Sequence, residues 1–138
     1  MMNEELKKQL RNRRICVVIP TYNNDKTIKT VVEKCLLYCD DVIVVTDGCT
    51  DRTTDILHAI DGITIVSYAQ NRGKGYALKM GFRKALEMGF SYAITLDGDG
   101  QHYPEDIPLF LKANQQHPQS LIIGSRQLEG VDRTKGSS

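Results

Sequence analysis

Two aspartates, Asp97 and Asp99, stand one glycine apart directly after the apolar run Tyr92-Ala-Ile-Thr-Leu96. Carboxylate oxygens without a neighbouring cysteine ligand suit hard divalent cations, Mg²⁺ or Mn²⁺, which hold few protein ligands and complete their shell with water and substrate phosphates. The run is too short for a helix and reads as a buried strand, and the glycines after it let the backbone approach a ligand closely. A turn that uses Asp and Gly only for its backbone geometry is the competing account. An EF-hand loop starting at Asp97 needs Gly at its sixth position and Glu at its twelfth, where this chain has His102 and Pro108, so that reading fails. A phosphatase-type nucleophile would follow the first strand of the domain, whereas Asp97 follows the fourth apolar run.

Four further polar segments fall at the carboxyl ends of apolar runs: Pro20-Thr-Tyr-Asn-Asn24, Thr46-Asp-Gly-Cys-Thr-Asp51, Asn71-Arg-Gly-Lys-Gly75 and Gly124-Ser-Arg126. The runs themselves, Ile15 to Ile19, Val42 to Thr46, Ile63 to Ser67, Tyr92 to Leu96 and Leu121 to Gly124, read as strands. Between them lie helical patterns. From Asp25 to Cys39 the apolar positions Ile28, Val31, Val32, Cys35, Leu36 and Cys39 follow helical spacing, with Asn24 available as N-cap. Asp51 to Ile60 turns Ile56, Leu57 and Ile60 inward, Gly75 to Met88 is closed by Gly89 at C′, and Pro104 opens a helix with Glu105 and Asp106 in its first turn. This alternation predicts parallel βαβ units with right-handed crossovers, hence an α/β, open, doubly wound, mainly parallel sheet of Rossmann-like kind. In such sheets ligands bind beyond the carboxyl ends of the strands at the topological switch point, so five loops converge on one site. A phosphate there would be held by the metal and by Arg72 or Arg126, since Arg matches phosphate oxygens bidentately. Singly, each residue has a plainer account: Asn71 and Asp51 as turn caps, Arg72 and Lys74 as solvated cations, Tyr22 as packing. Their joint placement favours a site.

The composition is that of one soluble domain: 138 residues, 41% hydrophobic, 25% charged, formal net charge +1. The balance of 18 basic and 17 acidic residues leaves no footprint for nucleic acid. The longest apolar runs are far too short to span a bilayer, and the charged start MMNEELKKQLRNRR leads into no signal-peptide core, so the expected location is the cytoplasm. Of the four cysteines none forms C-x-x-C, which favours buried reduced thiols over zinc ligands or disulfides. Three segments are expected: a charged, solvated lead-in over 1–14, the α/β domain over 15–126, and a polar tail over 127–138. Lys7, Lys8, Arg11, Arg13 and Arg14 make the lead-in basic enough to consider contact with an anionic cytoplasmic membrane face.

Taken together, VVIPTYNN, VIVVTDGCTD, QNRGKGYAL, TLDGDGQHYPEDI and IIGSR resemble successive signatures of the family-2 inverting glycosyltransferases of the GT-A fold. The block from Asp97 to Ile107 with the later Gly124-Ser-Arg126 most resembles the polyprenyl-phosphate branch, the dolichyl-phosphate sugar synthases and their bacterial relatives. The resemblance runs from about Ile15 to Arg126. It implies a nucleotide-diphosphate sugar, UDP- or GDP-linked, as donor and a lipid phosphate as acceptor. It also implies that Pro20, Tyr22 and Asn24 line the base and ribose pocket, that Asp47 accepts a hydrogen bond from the base, and that Asp97 and Gly98 contact the ribose and sugar side. Asp99, with Gln101, would hold the Mg²⁺ or Mn²⁺ that bridges the two phosphates, and Arg126 would approach the pyrophosphate. Two positions depart from the family pattern D-D-G-S: Thr46 replaces a carboxylate and Cys49 a hydroxyl.

Family members continue beyond the residue matching Arg126 into an acceptor-binding half that carries an acidic general base. That base is expected beyond Ser138, so residues 1–138 are expected to bind donor without transferring sugar. A nucleotide-binding module without catalysis is the alternative. A nucleotidyltransferase would carry a glycine- and arginine-rich loop after the first strand, where this chain has Pro-Thr-Tyr-Asn-Asn. The family sheet also sets a later antiparallel strand between the Asp97 strand and the Leu121 strand. Without it, either an edge opens beside Tyr92 to Leu96, inviting self-association, or the fifth strand repacks.

Overall fold

Every residue of β1 (Ile15–Thr21) is buried, so this strand lies at the centre with cover on both faces. The computed structural model describes residues 2–98, 104–117 and 122–123. On either side of β1 run β2 (Val42–Asp47) and β4 (Tyr92–Thr95), with β3 (Ile63–Tyr68) beyond β2 and β5 (Ile122–Ile123) beyond β4. All four pairings are parallel, in the order β3-β2-β1-β4-β5. The chain moves outward from β1 through β2 to β3, then returns to the other side of β1 as β4. The switch point therefore lies between the carboxyl ends of β1 and β4, where the Pro20–Asn24 and Asp97–Gly98 segments emerge.

Side chains alternate across β1. Ile15, Val17 and Ile19 join one cluster with Ile28, Val32, Cys35, Leu57 and Ile107, whereas Cys16 and Val18 join a second with Ile43, Ala85 and Ala93. The first face is covered by α1 (Met2–Asn12), α2 (Ile28–Tyr38), α3 (Thr53–His58) and α5 (Ile107–Gln116), and the second by α4 (Lys74–Glu87). The doubly wound α/β expectation holds.

Three details differ from the sequence reading, and a fourth decides between two arrangements it left open. Helix α2 begins at Ile28 rather than Asp25, because Asn24 turns its side chain back on the strand. Its Oδ1 accepts from the Thr21 hydroxyl (2.6 Å) and the Tyr22 N–H (3.2 Å), and only its carbonyl meets the helix, through the Thr27 and Ile28 amides. Thr27 takes the N-cap position without a side-chain capping bond to the helix; its hydroxyl donates to the Gly98 carbonyl instead. Pro104 opens a 3₁₀ turn, Pro104–Asp106, and the α-helix proper follows it. Helix α1 is docked rather than merely solvated: Leu10 is buried, Leu6 packs on the same core, Lys7 and Arg11 both pair with Asp40, and Arg13 donates to Asn114. Much of the basic charge considered for a membrane surface is thus engaged within the domain. Finally, β5 pairs directly with β4 through Ala93↔Ile122 and Ile94↔Ile123, the repacked arrangement rather than an open β4 edge. Gly89 follows α4 with φ +91°, the left-handed C′ position read from the sequence.

Two glycines of α4 separate packing from propensity. A Cβ on Gly81 would lie 2.5 Å from Val18 Cγ1 and 3.2 Å from Val45 Cγ2, whereas one on Gly75 would meet nothing within 4 Å. Alanine gains about 1 kcal/mol over glycine in a helix interior. Overpacking a full core costs about 1–3 kcal/mol. Gly75→Ala is therefore expected to raise, and Gly81→Ala to lower, the urea midpoint of unfolding; a gain at both positions would show that α4 has room to lift from the sheet.

Candidate functional site

A cleft of about 230 Å³ opens at the switch point, lined by Pro20, Thr21, Tyr22, Asn24, Asp47, Lys74, Ala77, Asp97 and Gly98. Six of these, Pro20, Tyr22, Asn24, Asp47, Asp97 and Gly98, are residues singled out by sequence. Asp99, Gln101 and Arg126, the expected metal and pyrophosphate contacts, lie outside the described residues, as does His102. Ser138 lies outside them too, and with it the expected position of the general base.

The wall after β1 is built by pinning two loops together. Asn23 adopts a left-handed backbone, φ +52°, open to Asn at modest cost. From there its Oδ1 accepts from the Thr50 (2.8 Å) and Asp51 (3.2 Å) amides, and its Nδ2 donates to the Thr50 hydroxyl (3.1 Å). The Asn24 amide donates to the Thr53 hydroxyl at 2.9 Å, and the Asp25 amide to Asp51 Oδ2 at 3.2 Å. Cys49, half-buried, accepts from the Asn23 amide and donates to the Thr21 carbonyl, so the thiol fills both hydrogen-bonding roles that a hydroxyl would fill here. Tyr22 remains about half exposed at the cleft mouth, 46%, and is free to meet a planar ligand.

The floor is organised by Asp47. Its carboxylate is buried, 3% exposed, and accepts three hydrogen bonds: Arg72 N–H on Oδ1 at 2.8 Å, Gly73 N–H on Oδ2 at 2.8 Å, and Asn71 Nδ2 on Oδ2 at 2.9 Å. The loop before α4 lies so close that a Cβ on Gly48, at φ +67°, would fall 2.2 Å from the Asn71 nitrogen. Burial, aided by the Asp47 carboxylate, pushes the Tyr68 phenol upward. Thr46, where the family pattern has a carboxylate, is buried and shares a 2.7 Å hydroxyl contact with Ser67. A charge at that position would be buried beside a neutral partner.

On the β4 side, Gly98 packs without a side chain against Thr21, whose Oγ1 would be 2.7 Å from a Cβ, and its carbonyl accepts from the Thr27 hydroxyl at 2.8 Å. This fixes Asp97 at the rim, where Lys74 Nζ lies 2.8 Å from Oδ1. Lys74 belongs to one of the five loops expected to converge, but the sequence reading gives it no role of its own, and only the fold shows that it meets Asp97. Arg72, one of two arginines considered for phosphate, lays its guanidinium over the Tyr76 ring, 5.2 Å from the centroid, with a 3.3 Å bond to Gln70. Glu105 pairs with Lys34 outside the cleft, in keeping with its helix-start role. All four cysteines are free thiols; burial pushes Cys16 and Cys39 up to about 12 and raises Cys35 and Cys49 as well, so reduced structural thiols fit as expected.

A parallel sheet with helices on both faces and a polar cleft at its switch point defines a doubly wound α/β protein, and the comparisons give its family. The pattern described as glycosyl transferase family 2 matches residues 16–137, and the chain belongs to that family. It is 31% identical over 129 residues to the UDP-N-acetylglucosamine–dolichyl-phosphate N-acetylglucosaminyltransferase of Methanococcus voltae, covering 81% of this chain and 51% of that protein. It is 28% identical over 131 residues to the undecaprenyl-phosphate 4-deoxy-4-formamido-L-arabinose transferase of Photorhabdus laumondii, covering 87% and 39%. The chain thus spans about half or less of the length of these curated relatives. Among solved structures, glucosyl-3-phosphoglycerate synthase from Mycobacterium tuberculosis, in complex with Mn²⁺, UDP-glucose and phosphoglyceric acid, matches with a TM-score of 0.62 and 27% identity over 85% of this chain and 44% of that one. The fold is the GT-A fold of these transferases.

The Asp51 carboxylate carries a pH-dependent part of the loop joint. Desolvation raises its pKa, but hydrogen bonds from Thr53 and from the Asp25 amide outweigh it, and the net shift is downward. A folded pKa below the unfolded one, about 3.9 for a free aspartate, gives stability that is present above that value and lost as pH falls through the folded value. Asp51→Asn should therefore be less stable than wild type at neutral pH, with the difference in urea midpoint closing at acid pH. A difference that stayed constant with pH would show that the joint does not depend on the charge.

Proposed function

We propose that the cleft holds the nucleoside diphosphate of a UDP- or GDP-linked sugar donor, for transfer of the sugar to a phosphate-bearing acceptor of the polyprenyl-phosphate kind. The observation that carries this reading is the convergence of Pro20, Tyr22, Asn24, Asp47, Asp97 and Gly98 on one cleft at the switch point of a family-2 transferase fold. Tyr22 and Pro20 would flank the base, Asn24 would face the ribose, and Gly98, lacking a side chain, would let the sugar side approach the backbone. Arg126 would meet the pyrophosphate.

The donor chemistry fits a hard divalent ion. Asp97 brings carboxylate oxygen to the rim, and among the described residues neither thiol nor imidazole lines the cleft. Such an ion takes few protein ligands and relies on water and phosphate oxygens for the rest of its shell. We assign Asp99, with Gln101, to hold Mg²⁺ or Mn²⁺. Such an ion, when bound, offsets charge on the departing diphosphate. The protein's share is then to orient the donor and hold that charge where it develops. Deprotonating the acceptor is a separate task, which we assign to an acidic residue beyond Ser138 rather than to any side chain of the cleft. Among the described residues no helix is long and apolar enough to cross a membrane.

Calorimetry with UDP and GDP, each with Mn²⁺, with Mg²⁺ and with EDTA, tests the assignment. Metal-dependent binding of one diphosphate is expected, and Asp99→Asn should weaken it by about 1–3 kcal/mol with the folded circular-dichroism spectrum unchanged, since one charge-assisted contact is lost. Binding of both diphosphates regardless of EDTA, or no binding to a folded sample, contradicts it. Labelled sugar transfer to a polyprenyl phosphate separates a transferase from a module that only binds donor, and efficient transfer by residues 1–138 alone would contradict a general base beyond Ser138.

A further inference from the structure

We infer that Asp47 is a positioning residue: its carboxylate sets segment 71–73 so that Lys74 meets Asp97, which ties the β2 side of the cleft to the β4 side across β1. This rests on the donor-site reading above. A carboxylate offers roughly four acceptor positions. Three of Asp47's are taken, and all three partners, the Arg72 amide, the Gly73 amide and the Asn71 side chain, belong to one short segment. A second Asn71 bond, Nδ2 to the Asp47 carbonyl at 3.1 Å, and the side-chain-free surface of Gly48 press that segment onto the end of β2. The next residue is Lys74. Its side chain is half exposed, 50%, so little packing holds it; what directs its ammonium to Asp97 Oδ1 at 2.8 Å is where the segment places its backbone. Among the described lining residues Lys74 supplies the cation of the cleft, facing the carboxylate next to the metal-ligating position proposed for Asp99. Asp47 thereby controls charge at a point it does not touch.

The test uses the whole chain, Mn²⁺, and whichever of UDP or GDP the wild type binds. Asp47→Asn keeps the side-chain shape but turns an amide donor toward the Arg72 or Gly73 N–H. Lys74→Met removes the ammonium and keeps the stem. Each is expected to weaken the diphosphate by about tenfold, and the double variant by about tenfold in total rather than about a hundredfold, because residues in one network do not add. Tyr22→Ala, outside the network, should multiply with Asp47→Asn. A second readout needs no ligand: the ammonium NMR resonance of Lys74, assigned by its loss in Lys74→Met, should move in Asp47→Asn, and the Arg72 and Gly73 amides should lose hydrogen-exchange protection in Asp47→Asn but keep it in Lys74→Met. Multiplicative losses for the Asp47 and Lys74 variants, or an unmoved Lys74 resonance, overturn the inference. If the wild type binds neither diphosphate, the donor-site reading fails, and the resonance and exchange data alone decide whether Asp47 positions Lys74.

Discussion

Burial of β1 on both faces is the constraint from which the rest of the structure follows. Each buried Ile or Val side chain contributes about 1.5–3 kcal/mol relative to exposure, and a buried polar group left unpaired costs about 1–3 kcal/mol. The strand can therefore be apolar throughout, with helices on either side, but chemistry is confined to its end. Thr21, buried yet hydrogen-bonded to Asn24, marks that limit. Since β2 and β4 flank β1 in parallel register, their own ends stop at the same edge, and the polar loops have nowhere to go except toward one another.

At that edge, backbone amides are held mostly by side chains from neighbouring loops. Asn23 and Asp51 join the loops after β1 and β2, while Asp47 joins the end of β2 to the loop before α4. These bonds are short-range, but they link segments 25 or more positions apart in the chain, so the cleft is set by the sheet rather than by any single loop. The departures from the family pattern fit this frame: Thr46 finds a hydroxyl partner in Ser67, and Cys49 serves as both acceptor and donor within the joint. Neither places a new charge in the cleft.

The alternation of strands and helices, the ligand edge and six cleft residues are legible in the sequence because strand-end placement and the Asp, Asn, Gly and Pro chemistry of turns are local signals. What is not legible depends on partners far away in the chain. Lys74 reads as part of a converging loop, but nothing within that loop reveals that Asp97 is its partner. Asn24 reads as a helix cap, since Asn favours that position, but a competing bond to Thr21 draws the side chain back and delays α2 by three residues. Helix α1 reads as a charged lead-in because few apolar residues mark its packed side, Leu6 and Leu10 among those described, and Asp40, which engages Lys7 and Arg11, lies in the loop between α2 and β2.

The central claim is that the cleft beside Tyr22, Asn24 and Gly98 receives a nucleoside diphosphate. Backbone amide NMR during titration with UDP and GDP in Mn²⁺-free Mg²⁺ buffer tests it most directly. The account predicts saturable shifts at Tyr22, Asn24, Lys74 and Gly98 with the amides of α5 unmoved. Shifts confined to another surface, such as the groove between β3 and α4 around Met80 and Arg83, or none at millimolar ligand, would contradict it.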